Sequence, residues 1–268
     1  MYSMVKWGSG LSKSFPVPLG IKQGGINSPD FFACYYDGLS NLLREKKLGC
    51  HIGNLFLASI FFADDIVLLA PTRSALQQMI DECTNYCRKY CLSFNAKKSK
   101  IMVFSKSKVD YGIIKPLTID GGGIEFVDKI KYLGTNITSS PSMTFSHEGD
   151  LRSFYRASNS VLNQLHSPDE TIQMQLVFSH CVPCFTYAAA VKDYSGRQMT
   201  DCTTALNDAI RKIFTFHRWE SVRGLREGLG YPSLSEMFDK ARRKFMLSLP
   251  IHANRTISKL FSTVSDEG

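Results

Sequence analysis

Apolar and polar positions recur with two different periods along the 268-residue chain, and the pattern changes near residue 139. Before that point, short runs with strand periodicity are separated by two segments with helical periodicity. From residue 143 onward only helical periodicity remains, interrupted by clusters of Gly, Pro and Ser. The pattern predicts an α+β domain over residues 1–138, followed by an all-α domain over residues 139–268.

The first domain is predicted to hold two helices among short strands of a mostly antiparallel sheet. One helix begins with Ser28 as N-cap and Pro29 at its first turn, and it ends before Gly49. The other begins after Thr72 as N-cap. The expected buried stripe of the first helix is Phe31, Phe32, Tyr35, Leu39, Leu42 and Leu43. Strands are expected over residues 5–7, 15–19, 55–62, 66–70, 100–104, 117–120 and 131–137, and later helices over residues 143–165, 171–191, 198–216 and 233–249.

Two adjacent carboxylates, Asp64 and Asp65, stand inside the apolar stretch FFADDIVLLA, residues 61–70. An unpaired charge at an apolar site is costly, so a turn or a cation must accommodate them. One interpretation is a simple hairpin with Asp65 at its tip, which explains one Asp better than two. The other keeps the hairpin and adds a hard cation such as Mg²⁺, which neighbouring carboxylate oxygens can bind. The pair alone slightly favours the simple hairpin.

Two further segments are candidates for binding an anionic partner. The Gly-rich loop GIKQGGINSPD, residues 20–30, precedes a helix N-terminus, so its backbone can approach a flat or anionic ligand closely. The segment AKKSK, residues 96–100, places three lysines directly after a helix. Taken singly, a strand-to-helix connector and a solvated basic turn explain them. Together with the Asp pair, their order favours a phosphoryl-transfer site. The candidate residues are Gly20, Lys22, Gln23, Gly24, Lys97 and Lys98.

The net charge is +8, with 17 basic and 11 acidic side chains in residues 1–138 and 15 and 13 in residues 139–268. An anionic partner is therefore expected on the first domain, with salt-dependent affinity if it is a polyanion. The sequence has no apolar run long enough for a membrane span and no signal-peptide pattern, which predicts an intracellular protein without membrane contact. The cysteines at helical spacing (Cys83, Cys87 and Cys91) and the CxxC pair (Cys181 and Cys184) are predicted to be reduced core residues.

Four motifs of the first domain resemble those of reverse transcriptases from non-LTR (LINE-type) retrotransposons. GIKQGGINSP resembles motif B, FADD at residues 62–65 resembles motif C, LSFNAKKSK resembles motif D, and KYLGTNI at residues 131–137 resembles motif E, the primer grip. They occur in the order and with the spacing of that family. Later segments, from RSFYRAS through YAAAV to IRKIF and VRGLREGLGYPSL, are similar to its helical thumb and connection region. The resemblance implies a polymerase palm followed by a thumb-like region.

The resemblance also implies roles for individual residues. Asp64 and Asp65 would bind the two catalytic Mg²⁺ ions, or Mn²⁺, and Phe62 and Ala63 beside them would contact the substrate. Such ions activate the primer 3′-hydroxyl and stabilise the leaving pyrophosphate. The template and nascent base pair would contact Gly20, Lys22, Gln23 and Gly24. The triphosphate would contact Lys97 or Lys98. The primer end would contact Tyr132, Leu133 and Gly134. The implied partners are element RNA as template, a DNA primer and dNTPs, in the nucleus or a cytoplasmic ribonucleoprotein.

The chain departs from the family pattern before motif B. A further metal-binding Asp, from motif A, is expected several tens of residues upstream, yet only 19 residues precede Gly20 and none is Asp or Glu. We therefore expect an N-terminally truncated polymerase, without motif A and the fingers, that has little or no activity alone. One alternative is a non-catalytic relic that still holds a primer-template duplex through phosphate contacts. Another is a different palm-containing polymerase, such as a group II intron maturase, which the retrotransposon-like second half disfavours.

Overall fold

The computed structural model describes residues 2–17, 24–107, 109–112, 114–139, 142–164 and 169–266. The chain packs as two compact units. Unit 1 comprises Met1–Ala96 and Leu117–Gly123, and unit 2 comprises Lys97–Pro116 and Ile124–Gly268. The described chain mixes helices with small, mainly antiparallel sheets, so the fold class is α+β, as predicted. The domain boundary between residues 138 and 139 stays a prediction.

Four antiparallel strand pairs form in the described part of unit 1, where a single sheet was expected. They are β1 (Tyr2–Ser3) with β4 (Phe15–Pro16), β2 (Lys6–Trp7) with β3 (Gly10–Leu11), β5 (Cys50–Ile52) with β6 (Leu55–Leu57), and β7 (Ser59–Phe62) with β8 (Asp65–Leu68). Gly53 and Asn54 form the turn between β5 and β6. The predicted strand over residues 55–62 is split at the buried Ala58.

Two helices carry the core of unit 1: α1 (Ser28–Glu45) and α2 (Arg73–Lys89). Leu39 and Leu43 of α1 are fully buried. The buried face also includes Tyr36, while Phe31 and Tyr35, both expected there, are exposed. The helical period explains this difference. Tyr36 and Leu39 lie four and seven residues after Phe32 and share its face of the helix, whereas Phe31 and Tyr35 lie to one side of that face. This face packs with Met79, Cys83 and Cys87 of α2.

One of the two expected N-cap residues of these helices caps its helix in the structure, and the other does not. Thr72 caps α2 as predicted, since its hydroxyl accepts a hydrogen bond from the Ala75 amide at 3.2 Å. Asn27, not Ser28, is the N-cap of α1. The left-handed φ of 55° at Cys91 follows the end of α2, so this cysteine is exposed and not in the core as predicted. The next strand of unit 1, β10 (Leu117–Ile119), is joined to α2 by the Gln77 amide, which bonds both backbone groups of Thr118.

Unit 2 contains a parallel strand pair and an antiparallel three-stranded sheet. The parallel pair joins β9 (Lys100–Ile101) to Glu125 and Phe126 of β11 (Gly122–Phe126), a strand whose first two residues belong to unit 1. The antiparallel sheet consists of β12 (Lys129–Tyr132), β13 (Thr135–Ser139) and β14 (Met143–Phe145). The predicted single strand over residues 131–137 is therefore wrong, because a turn at Leu133 and Gly134 divides it. The first residues of the predicted helix over 143–165 form β14 instead.

Helices make up most of unit 2. They are α3 (Glu148–Gln164), α4 (Glu170–Leu176), a π-helical turn Val177–Cys181, α5 (Pro183–Thr186), α6 (Gly196–Ile213), α7 (Arg223–Gly228), α8 (Leu234–Ser248) and α9 (Arg255–Asp266). The single helix expected over residues 171–191 is broken near Pro183, whose ring and missing amide hydrogen disrupt the preceding turn. Two capping boxes begin α6 and α8, with Ser195 and Ser233 as N-caps.

The core of unit 2 is built by α3, α5, α6 and the π-helical turn. Phe154 and Phe185 stack at its centre, with their ring centroids 4.5 Å apart, and Cys181 is buried beside them. Among the residues that the structure describes, no helix has the length and apolarity that a membrane span requires.

Candidate functional site

The Asp64–Asp65 pair lies at the end of the β7–β8 hairpin. Phe62 and Asp65 form the last strand pair, so Ala63 and Asp64 occupy the two turn positions. This corrects the expectation that Asp65 stands at the tip, since it is the first residue of β8. The φ angle is 48° at Ala63 and is not positive at Asp64, which matches a type II′ turn with alanine where glycine is usual. Strained positions of this kind cluster at functional sites.

Alternation along β7 places one side of the hairpin on the core and leaves the other in solvent. Phe61 packs against the core of unit 1, whereas Ile60 and Phe62 face outward, with 59% of the Phe62 surface exposed. Asp64 and Asp65 are both exposed, and neither has an ion-pair partner among the described residues. An exposed aromatic ring therefore stands directly beside two carboxylates.

The core below the turn adds no charge to this hairpin. Tyr36 is buried, and its ring centroid lies 5.7 Å from that of Phe61. Burial, followed by the charges of Cys87 and Asp64, raises the pKa of Tyr36 to about 12. The phenol is therefore protonated at neutral pH and adds no negative charge beside the two aspartates.

Gly24 is the part of the predicted Gly-rich site that the structure describes, because Gly20, Lys22 and Gln23 lie outside the described residues. Gly24 is exposed, its φ is 81°, and a Cβ added to it would meet nothing within 4 Å. Glycine is therefore needed here for its backbone angle and not for a close protein neighbour.

Lys97 and Lys98 lie in a turn of unit 2, and both side chains are exposed. The third lysine of the segment, Lys100, begins β9, where its Nζ lies 2.5 Å from the Glu125 carboxylate. The turn thus has two exposed lysines, and the third lysine of the segment forms an ion pair within the unit.

Tyr132, Leu133 and Gly134 lie at the end of the β12–β13 hairpin of unit 2. The φ angles of Leu133 and Gly134 are 44° and 80°, the pattern of a tight type I′ turn. Tyr132 pairs with Thr135 across the turn and is partly buried, whereas Gly134 is exposed. The three residues expected to act together are therefore adjacent on one rigid turn.

Tyr187 holds this turn in place, a role that the sequence reasoning missed. Its hydroxyl donates a hydrogen bond to the Leu133 carbonyl oxygen at 2.9 Å. A Cβ on Gly134 would lie 2.9 Å from the Tyr187 ring, so only glycine fits there without displacing the ring. No sequence signal joined the two, because 54 residues separate Tyr187 from Leu133.

Lys192 packs behind Tyr187, with its Nζ 6.0 Å from the centre of that ring. Only 1% of Lys192 is exposed, and its Nζ bonds the Asp150 carboxylate at 2.5 Å. The Tyr194 hydroxyl donates to the same carboxylate, and burial together with this bond raises the pKa of Tyr194. A charged residue next to the small apolar run AAAV is the signal that could have identified this buried pair.

A polar hollow of about 420 Å³ lies elsewhere in unit 1, between α2 and β10. Its lining includes Arg88 and Asp120, which form an ion pair with each other. Neither Asp64 nor Asp65 lines it. Because its cation Arg88 already pairs with Asp120 and Asp81 is the one other carboxylate in its lining, this hollow is a weaker candidate for the chemistry than the two adjacent carboxylates of the hairpin.

The hairpin carboxylates suit a hard divalent cation, since Mg²⁺ and Mn²⁺ prefer carboxylate oxygens and retain positions for water and phosphate. Within the described residues, no three His, Cys, Asp or Glu side chains cluster as a metal site. Asp64 and Asp65 therefore provide part of a ligand set, and further ligands would have to come from substrate, water or another residue.

Comparisons with known proteins identify the family of this chain. The sequence profile of the family described as reverse transcriptase (RNA-dependent DNA polymerase) matches residues 2–137, which include the hairpin and both other turns. A Pol polyprotein of the type-2 retrotransposable element R2DM from Drosophila melanogaster is 31% identical over 134 residues, covering 48% of this chain and 13% of that protein.

Two further relatives are Pol polyproteins of type-1 retrotransposable elements R2. The protein from Nasonia vitripennis is 30% identical over 122 residues, which cover 43% of this chain and 12% of that protein. The protein from Popillia japonica is 24% identical over 204 residues, 74% of this chain and 28% of that protein. The chain thus spans 12–28% of the length of these three relatives. It belongs to the reverse transcriptase (RNA-dependent DNA polymerase) family, on the non-LTR retrotransposon side of that family.

Proposed function

We propose that this chain is the palm and thumb part of an RNA-directed DNA polymerase and that the β7–β8 hairpin carries its reaction centre. The observation behind the proposal is that Asp64 occupies the turn and Asp65 the adjoining strand position, both exposed, inside the segment that matches the family. The palm would span residues 1–138 and the helical thumb residues 139–268. RNA template, DNA primer and dNTP would be the substrates, and a nuclear or cytoplasmic ribonucleoprotein the setting.

Each candidate residue has a physical task in this proposal. Asp64 and Asp65 would hold Mg²⁺ or Mn²⁺, which when bound lowers the pKa of the primer 3′-hydroxyl and balances charge on the leaving pyrophosphate. The Phe62 ring and Ala63 would form the surface against which the nascent base pair lies. Gly24, with Gly20, Lys22 and Gln23, would border the template.

The remaining candidates would act on the triphosphate and the primer. Lys97 or Lys98 would balance the triphosphate charge or donate a proton to the leaving group. The turn of Tyr132, Leu133 and Gly134 would fix the primer end, positioned by Tyr187. Positioning of this kind can account for a large share of the rate enhancement, because it removes the entropic cost of aligning two reactants.

Primer extension on poly(rA) with an oligo(dT) primer, with Mg²⁺ or Mn²⁺, tests the proposal together with direct Mn²⁺ binding measured by electron paramagnetic resonance. The Asp64→Asn variant should lose Mn²⁺ binding and any extension. Asp239→Asn, which neutralises an exposed carboxylate on α8, should lose neither. If Asp64→Asn binds Mn²⁺ as the unmodified chain does, the hairpin is not the metal site.

A second function is favoured by the absence, among the described residues, of a cluster of three metal-binding side chains. The described residues would then lack the third carboxylate that the resemblance implies for motif A, and the chain alone would turn over slowly or not at all. In that case it would act as a nucleic-acid-binding relic. Salt-sensitive duplex binding without extension, unchanged in Asp64→Asn, would establish this second function instead of the first.

A further inference from the structure

An exposed aromatic turn follows the end of α6, at residues 214–219. His217 and Trp219 stack face to face, with ring centroids 4.7 Å apart and an angle of 3° between the planes. Trp219 is 81% exposed, and Phe216 is exposed as well. A flat pair of rings is therefore presented to solvent.

The aromatic turn is held by its own backbone and not by burial of its rings. The Phe216 amide donates to the Arg211 carbonyl oxygen at 2.9 Å, and Thr215 has a left-handed φ of 54°. The Arg211 guanidinium donates to the Glu220 carbonyl oxygen at 3.0 Å, and the Glu220 carboxylate accepts from the His217 amide. The stacked rings are thus preorganised, which lowers the entropic cost of binding a flat ligand.

A shallow hollow of about 390 Å³ adjoins this turn. Its lining consists of Tyr155, Asp208, Arg211, Lys212, Thr215, Phe216 and Arg218. Three cations therefore line it against a single carboxylate, and Arg211 is paired with that carboxylate at 2.8 Å. Arg218, which lies between the two stacked rings in the sequence, and Lys212 are both exposed. Positive charge and exposed aromatic faces thus occupy one surface of unit 2.

Few ligand classes need both exposed aromatic faces and positive charge. Single-stranded nucleic acid offers unpaired base faces and a phosphate backbone, and proteins bind it with aromatic platforms beside basic grooves. A paired duplex presents phosphates but hides its base faces, and an apolar protein partner would not need the cations. Arginine beside an aromatic ring also stacks favourably on bases.

We propose that the aromatic turn and its hollow form a binding site for single-stranded nucleic acid, in which bases stack on Trp219 and phosphates contact Lys212 and Arg218. The site is built entirely from residues 155–219 of unit 2. It does not depend on the Asp64 hairpin, so it holds whether or not the chain polymerises nucleotides.

The chain contains two tryptophans, Trp7 and Trp219, which allows a direct spectroscopic test. In the Trp7→Phe variant of the full chain, Trp219 is the sole tryptophan, and its emission should be quenched on titration with dT12 or rU12. In the Trp219→Phe variant, where only Trp7 remains, quenching should be absent or much smaller. A difference between dT12 and rU12 would identify which strand the site prefers.

Affinity measured by fluorescence anisotropy of labelled oligonucleotides separates stacking from charge. Trp219→Ala should weaken binding roughly tenfold or more, as the loss of one base stack does elsewhere. Lys212→Gln and Arg218→Gln should each reduce the slope of log K against log salt concentration by about 0.7, the value for one phosphate contact on a single strand. Arg243→Gln, an exposed arginine of α8, is the charge-matched control and should change neither.

Three results would overturn the proposal. The first is unchanged Trp219 emission at saturating oligonucleotide. The second is equal quenching by a paired DNA duplex or by heparin, which would mean that the surface recognises charge without stacking bases. The third is a Trp219→Ala variant that binds dT12 and rU12 as tightly as the unmodified chain. Because Trp219 is exposed, none of these substitutions is expected to prevent folding.

Discussion

Unit 1 and unit 2 differ in how they treat apolar and charged side chains. Unit 1 leaves large apolar residues in solvent along its first strands and hairpin, among them Tyr2, Met4, Trp7, Leu11 and Phe62. Unit 2 encloses a larger helical core and buries an ion pair, Lys192 with Asp150. Unit 2 also exposes apolar rings, among them Phe216 and Trp219, so exposed apolar surface is common to both units. Among the described residues, the larger core and the buried ion pair distinguish unit 2, because a buried pair requires a tightly packed shell.

The largest expected effect comes from breaking the buried pair of unit 2. Lys192→Met should lower the free energy of unfolding by about 3–5 kcal/mol, because it leaves the Asp150 carboxylate buried without a cation. Lys129→Met, at the exposed pair with Glu148, should cost at most about 1 kcal/mol. Urea unfolding followed by circular dichroism measures both.

Replacing both members of the buried pair checks the cause of that effect. The double variant Lys192→Met with Asp150→Leu should recover much of the stability, since no isolated charge remains. Equal losses in Lys192→Met and Lys129→Met, both in unit 2, would mean that the Lys192–Asp150 pair is not buried in solution, and unit 2 would lose this distinguishing feature.

The apolar cores themselves provide the next test. Leu39→Ala in unit 1 and Leu206→Ala in unit 2 should each cost about 2–5 kcal/mol, because both side chains are buried and leave cavities. Hydrogen exchange should show lost protection mainly in α1 and α2 for the first variant, and mainly in α3 and α6 for the second. Leu247→Ala, at an exposed position of α8, should have little effect. Equal loss across both units from either core variant would contradict two separate cores.

A smaller effect is expected at the turn held by Tyr187. Gly134→Ala and Gly121→Ala both place alanine at a φ near 80° and should share a cost of about 1–2 kcal/mol. Gly134→Ala should cost about 1–3 kcal/mol more, because only its Cβ meets a ring, whereas nothing lies within 4 Å at Gly121. Thermal unfolding measures this difference. The added substitution Tyr187→Ala should remove the excess, and an excess that persists would assign it to another cause.

The smallest expected effect concerns thiols, which both units bury. Burial raises the pKa of Cys83 in unit 1 and of Cys202 in unit 2 to about 12, from an ordinary value of about 9. At pH 8, iodoacetamide should therefore modify the exposed Cys34 and Cys91 well before these two, as read by peptide mass spectrometry. Early labelling of Cys83 would show that the core of unit 1 opens readily.

The raised pKa values of Cys83 and Cys202 also determine how the stability of the fold changes with pH. Because the folded-state pKa of these thiols is raised, the unfolded chain loses its thiol protons first as the pH increases. Their contribution to stability is complete below about pH 9 and is lost as the pH rises toward the folded values near 12. Unfolding midpoints should therefore fall in both units above pH 9, and Cys83→Ser should reduce that fall in unit 1.

Sequence patterns predicted the helices of this chain better than its strands. The two helices of unit 1 and the N-cap Thr72 follow from local signals, because a cap and an apolar stripe lie within a few residues of each other, although Asn27 caps the first helix in place of the expected Ser28. The strands failed where pairing decided the outcome, as at residues 131–137, since pairing partners are remote and a tight turn can replace a continuous strand. The π-helical turn before Pro183 was likewise not expected.

The order of the motifs along the chain identified the candidate site residues. The roles of those residues remain proposals. The position of Asp64 in the turn, with a positive φ at Ala63, was not predictable, because alanine gives no turn signal. The support of the Leu133–Gly134 turn by Tyr187 was equally invisible, since it rests on one hydrogen bond and one ring contact between distant segments.

The sequence by itself determined the α+β class, the membership of a polymerase family, and the paired aspartates, because composition, period and motif order are local or additive properties. Only the tertiary structure decided which rings are exposed, which lysine is buried and which tyrosine supports a turn. These outcomes depend on packing between residues tens of positions apart, where burial and charge compensation are set by all the neighbours at once. Trp219 and Lys192 illustrate the difference, since one is an aromatic residue left in solvent and the other a charge held in the core.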